Sequence, residues 1–328
     1  MSFPKISIVT PSYNQGQYIE QTICSVLDQN YPNLEYIIID GDSTDNTLDI
    51  IRKYEKHITY WISEKDKGQT DAINKGFAKC TGEIFNWLNS DDYYEPGTFQ
   101  MLAQKFSSAE IYVVCGKERS FIDNEPTVTV HVQHTFIEKD IFETIRKGIM
   151  VQPATFFKKK CIDNFFPLDI TLRYMMDRQL WWSYLLKYGQ DKIITVNKII
   201  TNFRLHPHSK TISEQEYFEE DFNTLKRTLF AQLNAPVILN EQVGKSNMLV
   251  QAKWQINIKP KKFILAAFAA WYAQRNYVND KLTAAKLLIK FVKQSKGLRM
   301  NKQEWRLWII CCLLPQNVLL KLKKIKNN

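Results

Sequence analysis

The N-terminal part of the chain alternates between short apolar runs and longer amphipathic ones. Residues 6–10, 34–39, 58–62 and 84–88 each read as a strand. Between them, Ile19, Ile23, Val26 and Leu27 fall on one face of a helix, a second helix ends near Tyr54, and a third covers residues 70–79. The strand runs are nearly continuous in apolar residues, so both faces should be covered. Strand–helix alternation of this kind predicts an α/β fold with a doubly wound, mostly parallel sheet. From about residue 110 the pattern is mixed. It predicts strands at residues 111–115 and 127–132, a helix over residues 176–186 carrying Trp181 and Trp182, and a polar cluster at 203–211 ending a further strand. Beyond about residue 212 the chain reads as helical and poor in glycine, so the expected division is an α/β domain over 1–212 and a helical extension over 213–328.

The chemistry is expected at the strand ends, where open α/β sheets bind their ligands. The run Glu83-Ile84-Phe85-Asn86-Trp87-Leu88-Asn89-Ser90-Asp91-Asp92 stops on two adjacent carboxylates. Two such groups repel unless a cation neutralises them, and Mg²⁺ commonly takes one or two carboxylates plus phosphate oxygens. The plain alternative is that Asp91 starts a turn and Asp92 caps the next helix. Neither G-x-G-x-x-G after the first strand nor G-x-x-x-x-G-K-[ST] occurs, which removes support for a dinucleotide site and for a nucleoside-triphosphatase loop.

Composition narrows the class. With 45% apolar and 13% aromatic residues over 328 positions, the chain is globular and can bury a substantial core. Its six cysteines are scattered without a C-x-x-C pair, which argues against a zinc site or a disulfide framework and fits a reducing compartment. There is no signal-peptide pattern, and no apolar run approaches the roughly 18 residues that span a bilayer. The net charge of +10 is uneven: after residue 240 there are 18 lysines and arginines against three acids, while the first 240 residues carry five more acids than bases. A basic tail suits nucleic acid or an anionic membrane surface.

Four loops, taken together, point to a family. Pro11-Ser12-Tyr13-Asn14-Gln15-Gly16 follows the first strand and Ile39-Asp40-Gly41-Asp42-Ser43-Thr44-Asp45 the second. Asp66-Lys67-Gly68-Gln69-Thr70-Asp71 follows the third and Asn89-Ser90-Asp91-Asp92 the fourth. Their order, spacing and context resemble the family 2 glycosyltransferases of GT-A fold, of the type found in bacterial surface-polysaccharide clusters, over roughly residues 4–212. The resemblance implies transfer of a sugar from a nucleotide diphosphate sugar (a UDP-sugar by default) to an acceptor hydroxyl, with inversion. It implies a nucleotide-sugar half at about residues 1–115 and an acceptor half at about 116–212. It assigns Pro11, Ser12, Tyr13, Asn14, Asp40, Gly68, Asp71, Asn89, Ser90 and Asp91 to the nucleotide sugar, and Asp91 and Asp92 to a divalent cation, Mg²⁺ or Mn²⁺. The plain alternatives are that Asp40 and Asp42 are turn formers and that Asp71 is a helix N-terminal acid. The family often has Asp where this chain has Asn89, leaving a metal fewer anionic neighbours.

The same resemblance places an acid at the start of a later helix. Met175-Met176-Asp177-Arg178-Gln179 matches, making Asp177 the candidate general base that deprotonates the acceptor hydroxyl; otherwise it is a helix cap. Asp169 and Arg173 are weaker alternatives, and Arg178 and Gln179 stand where relatives often carry another acid. Arg204, His206, Ser209, Lys210 and Thr211 bring cations, an imidazole and hydroxyls, suited to a leaving diphosphate or to a metal.

In the tail, Lys286, Lys290 and Lys293 share a helical face, and Lys321, Lys323, Lys324 and Lys326 line another beside Val318, Leu319, Leu322 and Ile325. With Trp305 and Trp308 near a headgroup boundary, such helices suit an anionic membrane surface, or else pack on the α/β domain with a basic outer face. The expected partners are a nucleotide sugar, a glycan acceptor on a lipid and that membrane surface, at the inner face of the cytoplasmic membrane. A sugar nucleotidyltransferase should carry a Gly-rich phosphate loop where this chain has Pro-Ser-Tyr-Asn. A basic nucleic-acid binder leaves the carboxylates unexplained, so nucleic acid is not expected as a partner.

Overall fold

The computed structural model describes residues 3–207, 209–244, 250, 254–279 and 281–314. The chain forms two compact units: residues 1–137 with 148–222, and residues 138–147 with 223–328.

The first unit begins with β1 (Ile6–Ser12), α1 (Ile19–Leu27), β2 (Leu34–Asp40), α2 (Thr47–Tyr54), β3 (Tyr60–Ser63), α3 (Gln69–Lys79) and β4 (Ile84–Trp87). β1 pairs in parallel with β2 and β4, and β2 with β3. Alternate residues of each strand face opposite sides. Ile6, Ile8, Tyr36 and Ile38 join Ile19, Ile23 and Ile51 in the core beneath α1 and α2. On the other side Phe85 meets Phe77 of α3 at 4.8 Å. Gly76 lets α3 lie close to β1, because a Cβ there would come within 2.4 Å of Val9 Cγ1. Both faces of β1, β2 and β4 are therefore covered, which is why their runs lack polar alternation, while β3 at the sheet edge is part-buried.

The remainder of the sheet is mixed. It contains β5 (Tyr93–Tyr94), α4 (Thr98–Phe106), β6 (Val113–Ile122), β7 (Glu125–His134), α5 (Ile141–Lys147, which groups with the second unit), β8 (Thr155–Lys158), α6 (Met176–Tyr188) and β9 (Ile193–Leu205). The strand order is β3-β2-β1-β4-β8-β6-β9-β5, with β7 pairing β6 off this path. β8 is antiparallel to β4 and β6, whereas β6 and β9 are parallel. Trp181 and Trp182 are fully buried, and Trp181 packs against Phe157 of β8 at 6.4 Å.

α7 (Lys210–Ser213) and the start of α8 (Gln215–Gln232) complete the first unit. The second is helical: α5, the rest of α8, α9 (Val237–Asn240), α10 (Lys262–Val278), α11 (Leu282–Lys296) and α12 (Lys302–Leu313). Phe142 packs on Phe263 at 5.4 Å and Phe230 on Phe268 at 5.2 Å. Asn301 and Glu304 form a capping box at the start of α12, and Glu304 also pairs with buried Lys296 at 2.7 Å. Lys286 and Lys290 are exposed, but Trp305 and Trp308 are partly buried around the Lys293 ammonium, at 3.5 and 5.4 Å from their ring centres. The expected stripe at residues 318–326 lies outside the described residues.

Candidate active site

Because β1 to β4 are parallel, the loops that follow them gather at one sheet edge. They are bonded to one another. Gly41 N–H donates to the Ser12 carbonyl at 2.8 Å, Asn14 N–H to Ser43 Oγ at 2.8 Å, and Thr44 N–H to Asn14 Oδ1 at 2.8 Å. Asn14 and Asp42 adopt φ of 51° and 70°, a region those side chains tolerate better than most. Asp40 is fully buried and accepts from Ser43 N, Ser43 Oγ and Ser63 Oγ at 2.9, 2.5 and 2.7 Å. Its carboxylate therefore ties the loop after β2 to the end of β3 from within. Pro11 and Ser12 end β1 beside Ile39 and Asp40, and Tyr13 projects with 60% exposure. Ser12 Oγ is buried and has no hydrogen-bond partner among the described residues.

Gly68 stands before α3 at φ 105°, its N–H on Asp66 Oδ1 at 2.7 Å. Nothing lies within 4 Å of a Cβ added there, so backbone conformation alone calls for glycine. Asp71 accepts from Lys67 N–H at 3.1 Å and lies 3.5 Å from Lys75 Nζ, stapling the same turn.

The two carboxylates after β4 part company. Asp92 turns inward, 1% exposed, and accepts from Arg204 N–H at 3.1 Å and Asn89 Nδ2 at 3.4 Å. Burial and then the neighbouring Asp91 hold its carboxyl well above the usual carboxylate range. Asp91 keeps a part-exposed side chain, its Oδ2 3.2 Å from Nε2 of buried His206. Ser90 between Asn89 and Asp91 is buried. Asn89 does what an aspartate could not: it donates to Asp92 while its Oδ1 accepts from Gln69 Nε2 at 2.7 Å. A carboxylate there would add repulsion to a pair already strained by charge.

β9 returns to this edge and brings the later motif with it. His206 packs on the Tyr18 ring with centres 4.7 Å apart. Ser209 Oγ donates to the His206 carbonyl at 2.8 Å, shaping the turn. Lys210 donates to Gln69 Oε1 at 3.1 Å and stands 5.7 Å from the Tyr174 ring centre. Burial, with Arg173 adding to it, pulls its ammonium below the ordinary lysine value. Arg204 differs from its expected role facing a diphosphate: it is 6% exposed and bound to protein acceptors. Glu118 of β6 has no counterpart in the sequence analysis; burial pushes its carboxyl up to about 7, and its charge bears on Asp92.

Asp177 lies in the first turn of α6, partly exposed, with Oδ1 accepting from Arg178 N–H at 2.7 Å. Burial raises its carboxyl and Arg178 opposes the rise. The segment before it is tied to α3 by Thr70 Oγ1 on the Leu172 carbonyl and Asn74 Nδ2 on the Leu168 carbonyl, both 2.8 Å. Tyr174, beside Lys210, donates its N–H to Asp221 at 2.8 Å. Arg178 stacks on Phe222 at 4.4 Å, and Gln179 Oε1 accepts from Asp169 N–H at 3.0 Å. Asp169 accepts from Thr171 N–H and Oγ1 at 2.9 and 2.7 Å. Among the described residues, no three acids, histidines or cysteines converge on one point that could hold a metal.

Residues 7–166 match the model of the family described as Glycosyl transferase family 2. Along its whole length the chain is similar to a GalNAc(5)-diNAcBac-PP-undecaprenol beta-1,3-glucosyltransferase of Campylobacter jejuni, 24% identical with 98% of each chain covered. Among solved structures it resembles residues 1–349 of S. aureus TarS in complex with UDP-GlcNAc, with a TM-score of 0.57, 17% identity, and 94% of this chain and 90% of that one covered. It also resembles the mannosyltransferase PcManGT from Pyrobaculum calidifontis in complex with GDP-Man and Mn²⁺, with a TM-score of 0.51, 16% identity, and 95% and 85% covered. The mixed sheet, the four loops gathered at one edge and the family match agree: residues 7–166 belong to the family 2 glycosyltransferases, and the chain has the GT-A fold.

Proposed function

We propose that this enzyme moves a sugar from a nucleotide diphosphate sugar, a UDP-sugar by default, to a hydroxyl of a lipid-linked glycan, with inversion, in the assembly of a bacterial surface polysaccharide. The observation that carries the proposal is the Asp91–His206 pair. A part-exposed carboxylate and a buried imidazole sit 3.2 Å apart at the sheet edge where the four loops meet, in a unit that also presents Lys210. The Campylobacter relative's lipid-linked substrate and the nucleotide sugars in the two similar structures support the same reading.

The donor set fits a divalent cation. One carboxylate and one imidazole leave most of an octahedral sphere to diphosphate oxygens and water, as Mg²⁺ and Mn²⁺ sites commonly do. Asp91 and His206 would hold it, and when bound it supplies charge neutralisation to the diphosphate. The Mn²⁺ of the Pyrobaculum mannosyltransferase complex supports this. Lys210 adds a cation for the negative charge that grows on the leaving diphosphate. The orphaned Ser12 hydroxyl offers the nucleoside a hydrogen bond, beside the loop after β2 that Asp40 keeps in place. Asp177 accepts the proton of the acceptor hydroxyl as its oxygen bonds to the anomeric carbon. The bond from that carbon to the diphosphate breaks, its electron pair leaves with the diphosphate, and a single displacement inverts the centre. Partial burial of Asp177 raises its basicity toward the working range of a general base.

The helical unit would serve the acceptor's location. Among its described residues no helix is long and apolar enough to cross a membrane, yet Val278, Leu287, Leu298, Ile309 and Leu313 are exposed amid the basic surplus of the tail. Exposed apolar side chains among lysines suit attachment to an anionic leaflet.

Incubation with a panel of nucleotide sugars, with Mn²⁺ or with chelator, tests the proposal through release of nucleotide diphosphate. Metal-dependent release from at least one donor is expected. Release of pyrophosphate from a nucleoside triphosphate and a sugar phosphate would instead identify a nucleotidyltransferase.

A further inference from the structure

Arg204 is 6% exposed, and its backbone and side chain meet four residues of the first unit. Its backbone N–H donates to Asp92 at 3.1 Å. Its Nε donates to the Asp91 carbonyl at 3.0 Å, its Nη1 to Asp123 Oδ1 at 2.5 Å and its Nη2 to Gln21 Oε1. The guanidinium lies 4.8 Å from the Tyr18 ring centre and 4.9 Å from that of Phe121. Tyr18 in turn donates its hydroxyl to Asp123 Oδ2 at 3.1 Å and packs on His206. The contacts close a ring: Arg204 to Asp91 directly, and Arg204 to His206 through Asp123 and Tyr18.

We propose that Arg204, with Asp123 at the β6–β7 turn, is a positioning residue that fixes the Asp91 carboxylate and the His206 imidazole relative to each other and touches no substrate itself. Three observations carry this. Each of its three guanidinium nitrogens already donates to a protein acceptor, which leaves the group committed to the fold and not to a ligand. Its donors fork onto three acceptors from separate parts of the chain, a geometry that the single ammonium of lysine cannot reproduce. Finally, Asp123 divides its two oxygens between Arg204 and Tyr18, one branch for each member of the pair.

The inference rests on the reading of Asp91 and His206 as holders of a metal and diphosphate. Outer partners of metal ligands are typically worth about 10- to 100-fold in metal affinity. Arg204→Lys should therefore raise the Mn²⁺ concentration for half-maximal nucleotide diphosphate binding, measured by calorimetry, by at least about tenfold. The rate of donor hydrolysis at saturating Mn²⁺ should change far less. Asp123→Asn should shift the Mn²⁺ requirement in the same direction with the fold retained. Arg204→Ala should regain part of its Mn²⁺ affinity on addition of methylguanidinium. A crystal structure of Arg204→Lys, free of metal, should show Asp91 Oδ2 and His206 Nε2 separated beyond hydrogen-bond reach. If Arg204→Lys and Asp123→Asn keep the wild-type Mn²⁺ requirement, or if Arg204→Lys keeps the pair in contact, the positioning role is wrong. Wild-type protein that binds no nucleotide with Mn²⁺ would overturn the functional reading instead, while the metal-free structure still decides what Arg204 does.

Discussion

Asp91→Asn and Asp92→Asn differ by one position and should differ widely in effect. Asp91 is the carboxylate left part-exposed beside His206, and Asp92 is the one turned into the protein. Asparagine at 91 keeps the shape but removes a full charge from the face that would meet a cation. A unit charge pair about 4 Å apart is worth about 1 kcal/mol in water and about 4 kcal/mol at an effective dielectric of 20. Asp91, with its side chain 20% exposed, sits between those limits but toward the buried one. A loss of about 2–4 kcal/mol follows, or about 30- to 1,000-fold in Mn²⁺-dependent nucleotide affinity. At 92 the removed charge is already disfavoured by burial and by Asp91, and the asparagine oxygen can still accept from Arg204 N–H. Its cost should stay within about fivefold. The assay is calorimetric titration of UDP in saturating Mn²⁺ and again with chelator, for wild type and both variants. Equal losses at the two positions, or the larger loss at 92, would refute the division of labour, and unchanged affinity in Asp91→Asn would remove the metal from this site.

Asp177→Asn should lower sugar transfer by about 10²- to 10⁴-fold with donor affinity nearly unchanged, and product NMR should show the anomeric configuration opposite to the donor's. Transfer at near wild-type rate would move the base elsewhere, with Asp169 the next residue to test. Glu35, whose burial would raise its carboxyl, is instead held at about 2 by bonds from Lys5, Ser7 and Thr81. Against an unfolded value of 4.5 this contributes about 3 kcal/mol, present above pH 4.5 and lost as pH falls toward 2. Urea melts of Glu35→Gln should accordingly show a deficit at pH 7 that shrinks below pH 4, and a pH-independent deficit would contradict the linkage. Flotation with liposomes should recover the full chain with anionic but not neutral vesicles, and equal recovery with both would discard the electrostatic attachment.

The strands β1 to β4 and the edge where their loops meet are legible in the sequence. β1, β2 and β4 are runs buried on both faces and β3 is a part-buried edge strand, each followed by residues that favour turns. The second half of the sheet is much less so. β5 has two residues and β8 four, too few for a period to show, and β9 reaches its partners only after a long separation. The site divides the same way. That Asp91, Asp92 and His206 belong together follows from the resemblance, but which carboxylate faces outward does not, because a backbone amide 112 residues from Asp92 decides it. Arg204 has the right charge for a diphosphate and is instead consumed by Asp123, Gln21 and the Asp91 carbonyl, partners from three distant segments.

The excursion of residues 138–147 into the helical unit bears on how such a chain can be cut, swapped and inherited. The unit is not a suffix: it owns a ten-residue insert in the middle of the α/β unit's own sequence as well as everything from 223 onward. A stop codon near 222 would strand α5, whose Phe142 and Ile145 are buried in the intact protein, and leave an apolar stub prone to self-association. A single recombination crossover could not exchange the helical unit between relatives either, because three junctions must move together. The helices are therefore expected to have travelled with their catalytic partner through divergence, and a workable minimal enzyme has to lose the insert along with the tail.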